Sequence, residues 1–153
     1  MVDSLERLWP DLEKRFNVHT LVLNLDNGPE NNSHRTQFIK RIVDFSYAHN
    51  IKIRLAYYPP YHSKYNPVER VWGVLEKHWN RELLDSVEKT LALANTMTWN
   101  GKHPKVTFIE EEYSTGAKLT KNEMQSYEAK LERMTHLEKW FVDIIPPNFS
   151  CSL

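Results

Sequence analysis

Two short apolar runs flank one amphipathic stretch between residues 19 and 57, and that order limits the possible folds more than any other feature of the chain. Residues 19–25 are largely apolar and stop at Asp26-Asn27-Gly28-Pro29, a cluster of turn formers, so they read as a buried strand. Residues 33–49 carry Phe38, Ile42, Phe45 and Ala48 or His49 at helical spacing, with Ser33 as the candidate N-cap. Residues 51–57 place Ile51, Ile53, Leu55 and Tyr57 at every second position, the period of a second strand. Strand, helix and strand in that order form a right-handed crossover between parallel strands. Sites in such sheets gather at the C-terminal ends of the strands, and Asp26 stands at one of them.

On either side of this unit the pattern is mostly helical. Residues 3–16 space Leu5, Leu8, Trp9, Leu12 and Phe16 as an amphipathic helix interrupted by Pro10. A loop over Tyr58–Tyr65 leads to a helix from Pro67 to about Leu84, with Val68, Val71, Trp72, Leu75 and Trp79 as its apolar face. Residues 86–98 read as helix, Asn100-Gly101-Lys102-His103-Pro104 as a break, and 105–112 as an alternating strand. Thr120 and Glu123 are spaced as a capping box opening a helix through Met124, Tyr127, Leu131 and Met134. The apolar segment Trp140–Ile145 has no evident role. The reading is therefore α/β: a parallel strand pair with flanking helices over residues 1–98, and a mostly helical C-terminal extension over 99–153. Left as a two-stranded parallel sheet, the pair exposes an open edge and an uncovered face, so the isolated chain is expected to be marginally stable or to associate.

Composition excludes several classes. At 153 residues, with 41% hydrophobic and 26% charged residues, the chain is one domain, or one domain with an appendage. No window approaches the roughly 18 apolar residues of a membrane helix, and Asp3, Glu6 and Arg7 do not suit a secretory signal. The single cysteine, Cys151, excludes an internal disulfide or a cysteine-rich zinc site and suits a cytoplasmic protein. Net charge is zero, yet residues 34–77 hold 8 Lys/Arg against 3 Asp/Glu. A basic excess of that kind attracts backbone phosphates, and ordinary surface scatter produces it equally well.

Asp26 and Glu69 are the candidate reactive carboxylates. Each has a plain structural explanation. Asp-Asn-Gly-Pro is turn chemistry. With Asn66 as N-cap and Pro67 at N1, Glu69 occupies the reciprocal position of a capping box. Against that, a carboxylate on a strand end and another on a first helical turn are rigidly mounted hard oxygen donors. Such donors can share a divalent cation in phosphodiester chemistry. The loop before Glu69 adds His62, Lys64 and Tyr65, and Arg70 follows it. These are the candidate DNA-contacting residues, although packing is the commoner role for any single tyrosine here.

Two blocks make the sequence familiar. Leu25-Asp26-Asn27-Gly28-Pro29-Glu30-Asn31, followed by Tyr58-Pro59-Pro60-Tyr61-His62-Ser63-Lys64-Tyr65-Asn66-Pro67-Val68-Glu69-Arg70-Val71-Trp72-Gly73, resembles the second and third acidic motifs of DDE transposases with a ribonuclease-H-like core. Trp99-Asn100-Gly101-Lys102, then Tyr113-Ser114-Thr115-Gly116-Ala117-Lys118-Leu119 and Glu123-Met124, narrow the resemblance to the Rhodopirellula-type family of bacterial insertion sequences. The resemblance spans most of residues 19–145. It implies cleavage of element ends with Mg²⁺ or Mn²⁺, then attack of a 3′-hydroxyl on target DNA. Asp26 and Glu69 stand at the positions of the second and third acids, each a metal ligand.

The family's first acid lies on a strand well upstream of the second. Here 25 residues precede Asp26, and the aspartates among them, Asp3 and Asp11, fall in the expected helix. The expectation is a partial ribonuclease-H-like fold, the C-terminal half of a transposase and incomplete alone as an enzyme. Its partners are expected to be DNA and a complementary N-terminal half or a full-length transposase. The alternative is a non-catalytic, transposase-derived DNA-binding or regulatory fragment. A third reading is an unrelated α/β module whose turns mimic both motifs.

Overall fold

The computed structural model describes residues 1–26, 28, 31, 34–59, 66–110 and 119–150. In chain order the elements are α1 (Val2–Arg15), β1 (Thr20–Leu25), α2 (Thr36–Ala48), β2 (Lys52–Tyr57), α3 (Pro67–His78), α4 (Val87–Thr96), α5 (Lys121–Glu128), β3 (Leu131–Arg133) and β4 (Phe141–Ile144). Contacts divide the chain into two units. One comprises Met1–Pro60 with Gly116–Leu153, and the other Tyr61–Thr115.

In the first unit, β1 and β2 are parallel, with Leu21 opposite Ile53 and Leu25 opposite Tyr57. The expected crossover is present, since α2 connects the two strands. The sheet then continues as β1-β2-β4-β3. β4 lies antiparallel to β2, with Leu55 opposite Val142, and β3 lies antiparallel to β4. The expectation of a two-stranded sheet is therefore corrected. The apolar segment that had no evident role supplies Val142 and Ile144, both fully buried, to the sheet's inner face. The mostly helical C-terminal extension is corrected as well. Among its described residues are one helix and two strands, and the stretch around Leu131 pairs as β3 after α5 ends at Glu128.

Alternation along each strand decides the faces. Leu25, Ile53, Leu55, Tyr57, Val142 and Ile144 point inward, and α1 and α2 close over them with Trp9, Phe38, Ile39, Ile42 and Phe45. Trp9 meets Phe45 edge-on at 5.3 Å between ring centroids, and Arg41 pairs with Asp3 across the two helices. α1 keeps its course through Pro10. On the opposite face Asp143 of β4 is gripped by Arg54 through two bonds of 2.6 Å and by Lys52 at 2.7 Å.

Helix ends follow local chemistry unevenly. The Thr120–Glu123 capping box forms as read. Ser33 lies outside the described residues, and the N-cap of α2 is Arg35, which makes no side-chain cap bond. In the second unit, Ser86 caps α4 by accepting the Lys89 N–H. α3 ends at His78, earlier than the pattern suggested, and Arg81 turns the chain with φ of 71°. Of the apolar face expected for α3, Leu75 alone is buried, while Trp72 is 57% exposed. The Asn100-Gly101 break is a tight turn with both residues at positive φ, closed by paired Trp99–Lys102 backbone bonds. The strand expected over 105–112 does not form across residues 105–110, and 111–112 lie outside the described residues.

Candidate functional site

Asp26 follows directly on β1, one residue beyond the buried Leu25, so the parallel pair carries its carboxylate out of the core and into solvent. Two donors converge on one oxygen. The Gly28 N–H reaches Oδ1 at 3.1 Å and the Asn31 side-chain amide reaches it at 3.0 Å. Both favour the charged form, and they hold the carboxyl below its ordinary pKa, the Asn31 bond contributing most. Among the described residues no hydrogen bond reaches Oδ2.

The residues around Asp26 are fixed in turn by β2. The Tyr57 hydroxyl donates to the Asn31 carbonyl at 2.9 Å, and the Asn31 N–H bonds the Gly28 carbonyl at 3.3 Å. Tyr57 is 4% exposed, and burial pushes its phenol far above the ordinary value, so it stays a protonated donor. Gly28 does not serve by positive φ, as turn chemistry suggested. A Cβ there would stand 3.2 Å from Asp26 Oδ1, a tight contact that the carboxylate would meet by shifting a few tenths of an ångström. Asn31 and Tyr57 are positioning residues that the sequence pattern did not single out. Tyr57 stood out only as a strand residue at the inward spacing, and Asn31 only as the last residue of the block around Asp26.

Glu69 lies in the second unit, in the first turn of α3, and is exposed. Its backbone N–H bonds the Asn66 carbonyl at 3.1 Å. The Asn66 side chain caps Val68 instead, at 3.3 Å. The reciprocal capping bond that offered a plain explanation of Glu69 is not formed, in contrast with Glu123, whose carboxylate returns to the Thr120 N–H at 2.8 Å. Among the described residues the Glu69 carboxylate is thus committed to no hydrogen bond. Arg70 beside it is exposed, whereas His62, Lys64 and Tyr65 lie outside the described residues.

Part of the basic excess in residues 34–77 is answered within the fold. Lys40 pairs with Asp44, Arg41 with Asp3, and Lys52 and Arg54 with Asp143. Two of these acids come from distant parts of the chain, which no charge window can show.

A hard divalent cation takes oxygen ligands, using one or two carboxylates and keeping open positions. Asp26 fits that chemistry, being ionised, exposed and pre-oriented, and so does the uncommitted Glu69. No group of three or more potential metal ligands gathers among the described residues. Nor is any helix there long and apolar enough to cross a membrane. No curated protein and no solved structure matches the chain. The family model described as the Rhodopirellula transposase DDE domain does match, over residues 1–146, from α1 through β4. A carboxylate held at the tip of a parallel strand pair, inside a match that takes in both units of the fold, leads to one assignment: the chain belongs to the Rhodopirellula transposase DDE domain family.

Proposed function

We propose that this chain is the part of a DNA transposase that carries the second and third acids of a DDE site, Asp26 and Glu69. The sheet is read as part of a ribonuclease-H-like core. The observation that carries the proposal is the state of Asp26: ionised and solvent-facing, with one oxygen held by Gly28 and Asn31. Family membership over residues 1–146 gives that carboxylate its chemical context.

Mg²⁺ or Mn²⁺, when bound, activates the attacking oxygen and stabilises the leaving oxygen of the phosphodiester. The chain's own residues do the rest. Asp26 offers Oδ2 as a ligand oriented by its two Oδ1 bonds. Tyr57 keeps Asn31 in place, so the carboxylate does not swing away. Glu69 offers a second hard oxygen from a helical first turn. Arg70, and Lys64, His62 and Tyr65 in the preceding loop, contact the DNA backbone. The chain acts in the cytoplasm on insertion-sequence ends and target DNA.

The alternative, a stand-alone DNA-binding or regulatory fragment, draws its support from the basic stretch. The pairing of Lys40, Arg41, Lys52 and Arg54 within the fold weakens that support. The test is complementation. The chain is mixed with a polypeptide bearing the family's first acidic strand, and Mg²⁺-dependent nicking of a DNA duplex carrying element ends is followed. Nicking is expected with the wild-type chain and is expected to fall by at least about 100-fold, ~2.7 kcal/mol of barrier, with Asp26→Asn or Glu69→Gln. Activity that survives both substitutions removes the two acids from the mechanism.

A further inference from the structure

Alternation along the strands gives the sheet an outer row close to the Asp26 tip. Leu25, Leu55 and Val142 turn into the core, so their neighbours Asn24, Ala56 and Phe141 turn to the outer face. The register sets these three side by side, Asn24 opposite Ala56 and Ala56 opposite Phe141. A single methyl group thus stands between two larger side chains, and the sheet surface dips there.

The dip is the floor of a cavity of about 490 Å³, a size at which small ligands bind. Tyr58, Leu137 and Trp140 extend its walls. Among the described residues none that lines it is charged. Backbone bonds fix the walls. The Tyr58 N–H reaches the Leu25 carbonyl at 2.8 Å, and the Tyr57 N–H reaches the Trp140 carbonyl at 2.8 Å. The turn before β4 is closed by the Trp140 and Phe141 N–H groups, which both bond the Leu137 carbonyl, at 2.8 and 3.0 Å. A site backed in this way loses little freedom on binding. Asn24 comes from β1 and the other lining residues from β2 onward, so the cavity opens over β2 and β4. It is formed whatever strand lies on the far side of β1.

Chemistry and position both select the occupant. Tyr58, Trp140 and Phe141 offer aromatic surface to a planar ring. The exposed Asn24 carboxamide offers a donor and an acceptor to the edge of that ring. A lining without charge does not suit a phosphate or an acidic peptide. Asn24 stands two residues before Asp26, roughly 7 Å along the strand, a reach comparable with that from a phosphate to the base of its own nucleotide.

We propose that this cavity takes one unpaired nucleobase of the DNA strand whose phosphodiester lies at Asp26, its ring against the aromatic walls and its edge on Asn24. The proposal rests on the reading of the chain as part of a DNA transposase. A base held there fixes the neighbouring phosphodiester beside the carboxylate. Paired bases stay in their stack, so strand ends and melted steps are favoured.

The experiment uses an oligonucleotide of abasic residues carrying one 2-aminopurine, whose fluorescence falls when the base stacks, and the same oligonucleotide with no base. Both are titrated with the full chain at low salt in EDTA, so that no cleavage intervenes, and a DNA duplex is titrated alongside. The wild-type chain is expected to quench the 2-aminopurine and to bind the base-bearing oligonucleotide at least about fivefold more tightly than the bare one, the lower end of what stacking contributes. Ala56→Leu fills the floor and removes no packing. It is expected to bind both oligonucleotides alike without quenching, and an unchanged far-UV spectrum checks its fold. Tyr58→Ala, just beyond the end of β2, is the second variant and is expected to lose most of the quenching. Equal binding of both oligonucleotides by the wild-type chain overturns the proposal and leaves the cavity to an apolar side chain of another polypeptide. Quenching that persists in both variants overturns it too. A chain that binds the duplex and neither oligonucleotide overturns this proposal alone, whereas one that binds no DNA overturns the transposase reading with it.

Discussion

The Tyr57 hydroxyl, at the end of β2, donates to the backbone carbonyl of Asn31 at 2.9 Å, and Asn31 in turn holds the Asp26 carboxylate with its side-chain amide at 3.0 Å. The candidate acid at the tip of one strand is thus positioned from the tip of its parallel neighbour. Register makes this possible, because Leu25 stands opposite Tyr57. It also accounts for a phenol at the end of an otherwise aliphatic inner row.

Tyr57→Phe keeps the ring in the core and removes only the hydroxyl. The Asn31 carbonyl loses a partner, at a cost of about 1 kcal/mol, measurable as a lower urea midpoint with an unchanged slope. Broadening of the Asp26 and Gly28 resonances in NMR spectra is expected alongside. Their sharpness in the variant would mean that Asn31 needs no anchor.

Asn31→Ala removes the largest of the effects that depress the Asp26 carboxyl. Its titration midpoint, followed by carboxyl NMR, is expected to rise toward the ordinary aspartate value. The depressed carboxyl contributes stability above its unfolded pKa, and that contribution is lost as pH falls through the folded one. Asn31→Ala therefore narrows the difference in stability between neutral and acid pH. The group is exposed, so the change is small. An unshifted midpoint would show that Gly28 alone suffices.

Gly28→Ala sets a methyl group 3.2 Å from Asp26 Oδ1. The exposed carboxylate is expected to shift by a few tenths of an ångström, with little change in stability. The Gly28 N–H bond is expected to weaken, raising the Asp26 midpoint as well. A variant with wild-type titration would argue against the close approach.

Asp143→Asn dissolves the cluster on the outer face of the sheet. The Arg54 guanidinium, and then Lys52, hold the Asp143 carboxyl below its ordinary pKa, and its side chain is only 13% exposed. Removing the carboxylate is expected to cost about 2 kcal/mol at neutral pH, as charged hydrogen bonds are lost from partly buried cations. Because a depressed carboxyl stabilises above its unfolded pKa, the wild-type advantage should vanish as pH falls through the folded value. Urea melts of both proteins from pH 7 down through the acid range check this. An advantage that does not shrink as pH falls below the ordinary carboxylate range would contradict the assignment.

The sequence determined what depends on neighbours along the chain. The periods of residues 19–57 specified a strand, a helix and a parallel strand, and the structure holds all three. Thr120 and Glu123 specified a capped helix start, and Asn100-Gly101 a tight turn. The acidic blocks at Asp26 and Glu69 pointed to DDE transposases, and the blocks from Trp99 and Tyr113 narrowed the resemblance to the family. Tertiary structure decided what depends on distant partners. Leu131–Arg133 is helical by local pattern, but its backbone pairs with β4, and that pairing outweighs a weak propensity. Phe141–Ile144 is too short to announce itself, and it becomes a strand because the inner edge of β2 has backbone groups to satisfy. Part of the basic excess of residues 34–77 is offset by Asp3 and Asp143, nearly the whole chain apart in sequence. Asn31 gained its role by the same route. Asn31 belongs to the block around Asp26, but its role shows only when the fold brings its amide to the carboxylate and a buried phenol to its carbonyl.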